Sequence, residues 1–489
     1  MTRISGTESS VGAGTGTGVD TGTGAGTARA WAALGGGAAL LSRVRYGGGG
    51  GLSARLPVME LARSTVAACA LAAAELAADR AGSGVPRVRV DDGAVGAAFL
   101  SDRLVRLDGA APTTFAPLSR FWRAADGWVR THANYPHHRE RLLTALGLPA
   151  DAGAADVEAA IGAGAARDVE DAVYAAGGLA VAARTVAEWG AGEQARALAA
   201  RPLLSLERLD DSPVRKSAPL PEGPLLPAAG LRVLDLTRVL AGPVATRTLA
   251  LLGADVLRID SPGLPESQDA HNDTGMGKRS TRLDLAAAGD RAVFESLLAS
   301  ADVVVTGYRP GALDRFGLAP ADLAARRPGL VVAQVSAWGT EGPWGGRRGF
   351  DSLVQVATGI AAVEGGAGEP GALPAQALDH GTGYLMAAAV LRAVTEQRAA
   401  GGSRVARLAL ARTAHWLLHE LPEGAGAPER PGSAVSGPSQ PYSPEPWMTG
   451  ADAPTGSLRY ALPAVRFDGG PTDWARPAGV WGADAAQWV

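Results

Sequence analysis

Short apolar runs alternate with polar turns between residues 230 and 283. Residues 233–236 form an apolar run that is typical of a strand buried on both faces of a parallel sheet. Residues 246–252 place leucines at helical spacing, and a second apolar run, residues 254–259, ends at Asp260. A strand, a helix and another strand within about 30 residues predict one βαβ unit.

The alternation continues towards the end of the chain. It predicts helices at 290–299, 320–326, 352–362 and 382–397 and strands at 302–305, 330–335 and 403–410. Helices that alternate with short buried strands are typical of a doubly wound sheet. The fold class predicted from the pattern is therefore α/β.

The turn after the first strand lacks the glycines of a dinucleotide site. Gly242 is the one glycine between Asp235 and Thr246, and a proline follows it. The dinucleotide fingerprint needs three glycines at fixed spacing, because the backbone must approach a pyrophosphate closely. We therefore exclude NAD and FAD as cofactors.

Changes in composition indicate domain boundaries. Residues 1–30 are rich in Gly, Thr and Ser and are predicted to be disordered, because they offer little apolar surface to bury. The Pro-rich residues 213–229 predict a linker between a first half, residues 31–212, and a second half, residues 230–422. Residues 423–489 are predicted to form an irregular Pro/Gly-rich tail.

Part of the sequence occurs twice. Residues 57–71 match residues 374–390 with a small gap, and each segment is followed by a predicted strand, at 86–91 and at 403–410. The βαβ unit is present only in the second copy. The sequence therefore predicts a partial internal duplication.

Charge and cysteine content narrow the classes of function. A formal net charge of −3, without a basic stripe rich in aromatic residues, gives no indication of nucleic-acid binding. Cys69 is the only cysteine, so neither a disulfide framework nor a thiolate metal site is possible, and a reducing cytoplasm is expected. Glu75 interrupts the Ala-rich residues 65–78, and neither a membrane span nor a secretory signal is predicted. High Gly and Ala content, with more Arg than Lys, indicates a bacterial source.

A histidine cluster lies in the first half. Residues 115–146 predict a hairpin around an Asp-Gly turn at 126–127, followed by a helix. His132, His137 and His138 lie near the start of that helix. A metal site would need a fourth ligand at fixed spacing, and none is visible, so we interpret the cluster as a polar loop and expect no metal.

The glycine run Gly47–Gly51 leaves two alternatives. Successive backbone N–H groups could bind an anion. However, no Lys-Ser/Thr pair follows the run as in a P-loop, which favours a flexible loop.

Six stretches of the second half resemble the class III CoA-transferases, the CaiB/BaiF type that acts on carnitine and bile-acid CoA esters. They are LRVLDLTRVLAGPVATRTLALLGADVLRID (231–260), GKRSTRLDL (277–285), ADVVVTGYRPGALDRFGL (301–318), LVVAQVSAWGTEGP (330–343), GFDSLVQVATG (349–359) and ALDHGTGYLMAAAVL (377–391). Their common order along the chain makes the resemblance specific.

The resemblance implies a Rossmann-like parallel sheet with flanking helices plus a smaller α+β domain. The first half resembles the later part of such a protein and would supply elements of the small domain. The substrates implied are an acyl-CoA and a carboxylic acid; coenzyme A is a substrate and no cofactor is bound permanently. Chains of this family interlock in pairs, so either a homodimer or an intrachain pseudo-dimer is expected, without a nucleic-acid or membrane partner.

The resemblance also implies that Asp379 is the catalytic nucleophile. Its carboxylate would attack the thioester to give a mixed anhydride, which the CoA thiolate converts to an aspartyl-CoA thioester. The residue precedes the predicted 382–397 helix, where backbone N–H groups and the helix dipole would hold it ionised. From spacing alone, an Asp that only caps the helix is the alternative.

The residues that match the CoA-binding segments of the family are Val239, Leu240, Ala241, Leu283, Tyr308, Arg309 and Arg315. Some positions depart from the family pattern, namely Leu240 (Gln in many relatives), Ser261 (Arg), Ala286 (Lys) and Gly307 (Asn). We expect Arg258, Lys278, Arg279 and Arg309 to compensate for the lost polar groups.

Two other functions are considered. An acyl-CoA racemase of this fold uses a Gly-His-Asp motif, but Phe350 occupies the histidine position and cannot transfer a proton. His380, next to Asp379, is the other candidate base. A CoA-binding scaffold without catalytic activity is the second alternative. This interpretation applies to the first half, where Glu60 stands near the position that matches Asp379.

Overall fold

The computed structural model describes residues 24–215, 218–421 and 442–489. The helices in these residues are α1 (Ala25–Ala33), α2 (Val58–Ala81), α3 (Asp92–Phe99), α4 (Ser101–Leu104), α5 (Pro136–Ala145), α6 (Ala154–Gly162), α7 (Ala166–Ala175), α8 (Val186–Gly190), α9 (Glu193–Ala199), α10 (Ala241–Leu251), α11 (Gln268–Thr274), α12 (Ala288–Leu298), α13 (Pro320–Arg326), α14 (Asp351–Ala357), α15 (Ile360–Glu364), α16 (Ala377–Ala400) and α17 (Leu410–His419). The strands are β1 (Val44–Gly47), β2 (Val88–Asp91), β3 (Arg106–Leu107), β4 (Phe121–Arg123), β5 (Trp128–Thr131), β6 (Ala180–Ala182), β7 (Ser205–Arg208), β8 (Arg232–Leu236), β9 (Asp255–Asp260), β10 (Arg279–Arg282), β11 (Val303–Thr306), β12 (Val331–Ser336), β13 (Arg404–Ala409), β14 (Met448–Ala453), β15 (Gly456–Ala461) and β16 (Arg466–Phe467).

Among these residues, the large sheet has seven strands in the order β10-β9-β8-β11-β12-β13-β7. Its strands run parallel except β7, which pairs antiparallel with β13 at the edge. Val303 of β11 pairs with Val233 of β8, and both are fully buried, as expected for strands covered on both faces. The strand order reverses between β8 and β11, as in a doubly wound sheet. The predicted α/β fold is confirmed.

Helices α2 and α16 form a long buried pair. Each has 24 residues and is rich in Ala, whose small side chain lets two helices approach closely. Helix α2 leads into β2 and α3, and α16 leads into β13 and α17. The shared order of elements agrees with the predicted internal duplication.

Helix α2 is also long and apolar enough to cross a membrane, judged by length and composition alone. However, 89% of its apolar window is buried inside the protein, which is common for a core helix of a folded domain. Glu75 does not end the apolar stretch, contrary to the sequence interpretation. It lies within α2 and pairs with Arg392 of α16 at 2.5 Å.

The first half forms a smaller α+β unit and also completes the large sheet. Strands β4, β5 and β6 make an antiparallel sheet that packs with helices α5, α6 and α7 around its own apolar core. The β4–β5 hairpin turns at 126–127, as predicted. Strand β7 then pairs with β13, so the first half contributes an edge to the sheet of the second half.

Three helix boundaries differ from the sequence prediction. Helix α10 begins at Ala241 rather than at residue 246, because Pro243 is tolerated in the first turn of a helix. Helix α16 begins at Ala377 rather than at residue 382, so Asp379 lies inside its first turn. The predicted helix 352–362 is divided into α14 and α15 at Gly359, where φ is 90°.

The two terminal segments are more regular than predicted. Residues 1–23 lie outside the described residues, but helix α1 begins at Ala25, inside the segment that was predicted to be disordered. Residues 422–441 are also outside them. The rest of the tail contains the β14–β15 hairpin, whose turn holds Pro454, and β15 pairs with β3 of the first half.

Candidate functional site

One cavity lies beyond the carboxyl ends of five parallel strands. The loops that follow β8, β9, β10, β11 and β12 line it, together with the beginning of α16. Its volume is about 670 Å³. Ligands of open α/β sheets bind in this position, where the strand order reverses. The cavity is therefore the candidate site.

Every residue that the resemblance assigns to the site lines this cavity, namely Val239, Leu240, Ala241, Leu283, Tyr308, Arg309, Arg315 and Asp379. The departing positions Ser261, Ala286 and Gly307 line it as well. The structure thus brings together residues from loops that are far apart in the sequence. Their roles in CoA binding and catalysis stay predictions.

Most of the basic residues that were expected to compensate for the departures from the family pattern lie away from the cavity. Of the four, only Arg309 lines the cavity. Arg258 binds Asp260 at 2.7 Å, Lys278 binds Asp235 at 3.0 Å, and Arg279 binds Asp255 at 2.6 Å. These three cations are therefore committed to structural ion pairs, and the expectation that they contact a ligand was wrong.

The Lys278 ion pair fixes the loop between β8 and α10. Lys278 Nζ donates to Asp235 Oδ2 at 3.0 Å, to the Pro243 carbonyl at 2.9 Å and to Thr246 Oγ1 at 2.6 Å. Burial lowers the pKa of Lys278 to about 8, although the Asp235 charge opposes the change. Val239 in the same loop has φ 70°, a left-handed conformation that is rare for a β-branched residue. A loop this firmly bound can hold such strain next to a site.

Asp379 lies deep in the cavity wall, with 4% of its surface exposed. Its Oδ2 atom is buried and has no hydrogen-bond partner among the described residues. Burial, followed by the negative charges of Asp351 and Asp102, raises the pKa of Asp379 well above its ordinary value. The expectation that the helix start holds this carboxyl ionised was therefore wrong for the unliganded protein.

Asp351 explains why the helix start does not stabilise the Asp379 charge. Its Oδ2 accepts hydrogen bonds from the backbone N–H groups of Leu378 and Asp379, both at 2.9 Å. It is itself fully buried, and burial raises its pKa to about 6. The N–H groups that would cap an Asp379 carboxylate are thus occupied by the neighbouring acid.

Phe350 replaces the proton-transferring histidine of a racemase, and the structure surrounds it with aromatic rings. Its ring stacks on that of His132, with centroids 3.7 Å apart and planes 2° from parallel. Burial lowers the pKa of His132 to about 3, so its imidazole is neutral near pH 7. His380 is not one of the residues that line this cavity, which further disfavours the racemase alternative.

The first half contributes a wall of the cavity that the sequence interpretation missed. Tyr135, His137, His138 and Arg141 line the cavity from α5 and the loop before it. Tyr135 Oη donates to Glu266 Oε1 at 3.0 Å, which joins this wall to the second half. The histidine cluster had been interpreted only as a polar loop, because nothing in the sequence indicates that it packs against Phe350.

The cavity wall is strongly cationic. Six arginines line it, namely Arg141, Arg238, Arg309, Arg315, Arg347 and Arg348. Two of these have a carboxylate within 4 Å: Arg238 lies 3.6 Å from Glu266 and Arg347 lies 3.8 Å from Glu170. The other four have no such partner in the part of the chain that the structure describes. Burial and the charges of Arg141 and Arg309 lower the pKa of Arg348, as expected where cations gather without counter-ions.

A comparison with protein families matches the part of the chain that forms most of this cavity. Residues 228–444 match the model of CoA-transferase family III. The resemblance inferred from the sequence motifs is therefore confirmed for this part of the chain, and every cavity residue after Arg141 lies within it.

Individual relatives carry related names. The chain is 34% identical over 208 residues to an acetyl-coenzyme A transferase, nodX, of Hypoxylon pulicicidum, covering 41% of this chain and 35% of the relative. It is 33% identical over 204 residues to a probable fatty acyl-CoA transferase, Rv3272, of Mycobacterium tuberculosis, covering 38% and 51%. A CAIB/BAIF family protein from Brucella suis is 29% identical over 40% of this chain and 55% of that chain, with a TM-score of 0.37. The chain thus spans between a third and about half of these curated relatives.

The first half lies outside the family III match, and the acid of its long helix has hydrogen-bond partners. Glu60 occupies the third position of α2, as Asp379 does in α16. It accepts hydrogen bonds from Arg63 at 2.9 Å and from Ser64 at 3.0 Å. Next to it, the glycine run Gly47–Gly51 packs against acidic and aromatic side chains, with Asp91 and Tyr442 close to its backbone. The nearby carboxylate disfavours the anion-binding alternative.

Proposed function

We propose that this chain transfers coenzyme A between an acyl-CoA and a carboxylic acid, with Asp379 as the covalent nucleophile. The observation that carries the proposal is the position of Asp379 in the wall of an arginine-lined cavity inside the family III region. The curated relatives named above are an acetyl-coenzyme A transferase and a probable fatty acyl-CoA transferase, which supports the reaction class.

The charge of the cavity suits coenzyme A. Its diphosphate and 3′-phosphate carry several negative charges, and guanidinium groups bind phosphates through paired N–H donors. Arg309 and Arg315 follow β11, Arg141 belongs to α5 of the first half, and Arg348 precedes α14. The volume of about 670 Å³ accommodates the pantetheine arm and the acyl group at the Asp379 end.

The proposed reaction requires no net proton transfer. The Asp379 carboxylate attacks the thioester carbonyl, the C–S bond breaks, and a mixed anhydride and a CoA thiolate form. The thiolate attacks the aspartyl carbonyl, which releases the first acid and gives an aspartyl-CoA thioester. The acceptor carboxylate displaces the thiolate, and the thiolate then attacks the acceptor carbonyl and restores Asp379. The arginines of the cavity wall would favour the ionised Asp379 that attack requires, against the burial and the acidic neighbours that raise its pKa.

Mass spectrometry of the intact protein tests this proposal. Incubation with a panel of acyl-CoA thioesters should add the mass of CoA, less one water, to the protein, and hydroxylamine should convert the adduct to a hydroxamate at Asp379. Asp379→Asn should form no adduct, whereas Asp314→Asn, which changes an acid outside this cavity, should form it normally. Binding of CoA without any adduct or turnover would identify a silent CoA-binding protein. Exchange of the substrate α-proton with deuterated solvent would identify a racemase.

A further inference from the structure

A short segment of the first half holds the start of the nucleophile helix. Three consecutive residues of α4 contact the second half. Ser101 Oγ donates to Asp273 Oδ2 at 3.1 Å, the Asp102 carboxylate lies 3.4 Å from His380 Nε2, and Arg103 donates to the Pro374 carbonyl at 2.7 Å. The last two contacts reach the first turn of α16, at His380, and the segment just before it, at Pro374.

The contact between Asp102 and His380 has a defined direction. A carboxylate can only accept a hydrogen bond, so the imidazole must carry its proton on Nε2. The ring is fully buried and stacks on Phe99 of α3, with centroids 5.2 Å apart. His380 is thus fixed between two residues of the first half, and it follows Asp379 directly in the chain.

Asp102 also carries its charge close to the nucleophile. Burial disfavours its ionisation, but its contacts with His380 and the positive charge of Arg103 outweigh burial and lower its pKa. Asp102 and Asp351 are the two acids whose charges act on Asp379. His380 adjoins Asp379 on its own helix, and His138, Arg141 and Arg348 line the same cavity.

We propose that Asp102, which lies outside the family III match, is a positioning residue for Asp379 and acts through His380 and through its negative charge beside the nucleophile. The inference rests on the proposed function. It assigns to the first half a part in the chemistry as well as in the cavity wall. Asp102 holds the first turn of α16 in place, and its negative charge disfavours ionisation of the Asp379 carboxyl.

The pH dependence of transfer tests this role. Asp102→Asn keeps the size and the acceptor oxygen but removes the charge, so Asp379 should ionise more easily. The acidic limb of the kcat/KM profile for acyl-CoA should therefore move to lower pH by about one unit, with KM unchanged. Asp102→Glu retains the charge and should keep the limb of the wild-type protein. Asp168→Asn, which removes an exposed acid of the first half, is the matched control and should also leave the limb in place.

A second variant covers the case in which Asp102→Asn does not fold. His380→Gln can still donate to Asp102 but lacks the rigid ring, so kcat should fall about tenfold at unchanged KM, with the acidic limb retained. An unmoved limb in folded Asp102→Asn, or wild-type kcat in His380→Gln, would overturn the inference. If the wild-type protein itself shows no transfer, the proposed function fails instead, so the two failures are distinguishable.

Discussion

Replacement of Asp379 by Asn should abolish transfer and at the same time stabilise the fold. The carboxyl is buried, its Oδ2 has no partner among the described residues, and two acids act on it. The Asn side chain has the same shape but carries no charge, so Asp351 and Asp102 do not repel it. Loss of function with gain of stability is expected where a group is held for reactivity rather than for packing.

The magnitude follows from the surroundings of Asp379. In the unfolded chain this carboxyl ionises at about pH 4, whereas burial and two neighbouring acids raise its pKa well above that value in the folded protein. Each pH unit between the two pKa values costs about 1.4 kcal/mol of stability, and Asn, which does not ionise, avoids this loss. We therefore expect Asp379→Asn to raise the free energy of unfolding by about 1–3 kcal/mol near neutral pH.

The sign of the pH dependence is also fixed. The pKa of Asp379 is raised in the folded protein, so its contribution to stability is complete below the unfolded pKa of about 3.9. The contribution is lost as pH rises through the folded pKa. The stability difference between Asp379→Asn and the wild-type protein should therefore be small near pH 4 and should grow as pH increases.

Urea unfolding of both proteins at several pH values between 4.5 and 8 measures this difference. Other titrating groups are common to the two proteins and largely cancel, and Asp314→Asn serves as a control for the loss of one carboxylate. Transfer activity is measured on the same samples. If the inactive Asn variant is less stable than the wild-type protein at every pH, the conclusion that this carboxyl is unsatisfied in the folded state is wrong.

Three further predictions concern the rest of the site. Arg315→Ala should raise KM for acyl-CoA about tenfold in steady-state kinetics, because one charge-assisted hydrogen bond is worth about 1.5–3 kcal/mol, whereas the exposed Arg87→Ala should leave KM unchanged. Tyr135→Phe should lower the free energy of unfolding by about 1–2 kcal/mol in urea, because Glu266 loses a donor; equal stabilities would contradict the contact between the halves. Lys278→Met should lower the free energy of unfolding by about 3–5 kcal/mol in urea, because the fully buried Asp235 then lacks its counter-ion. The Lys278→Met/Asp235→Asn double variant should show a smaller loss in the same measurement.

The large sheet could be predicted because its signals are local. The strands β8, β9, β11, β12 and β13 are short apolar runs that alternate with helices, so periodicity alone places them within a few residues. Strand β10, with the sequence Arg-Ser-Thr-Arg, is polar and could not be predicted in this way. The β14–β15 hairpin was missed for the opposite reason. Pro454 and Gly456 indicate irregular structure when they are considered alone, whereas here Pro454 lies in a tight turn and Gly456 begins the second of two paired strands.

The site was predicted only in part, because half of its environment comes from distant segments. The motifs place the cavity residues of the second half correctly in one cavity. Nothing local indicates that Asp351, 28 residues earlier, occupies the backbone N–H groups at Asp379, or that His132 stacks on Phe350. Such pairings depend on how elements pack in three dimensions, and the pairing of Asp351 affects the pKa of Asp379.

The two copies of the long helix carry an acid at the same position but surround it with different neighbours. Glu60 and Asp379 occupy the same position in α2 and α16, and both are buried. Glu60 is neutralised by Arg63, which also binds Asp92 at 2.6 Å, so this acid contributes to packing. Asp379 has acidic neighbours and faces a cavity. Because buried polar groups are nearly always satisfied, the unpartnered Oδ2 of Asp379 and the partnered carboxylate of Glu60 support the proposal that Asp379 is the nucleophile and Glu60 is structural.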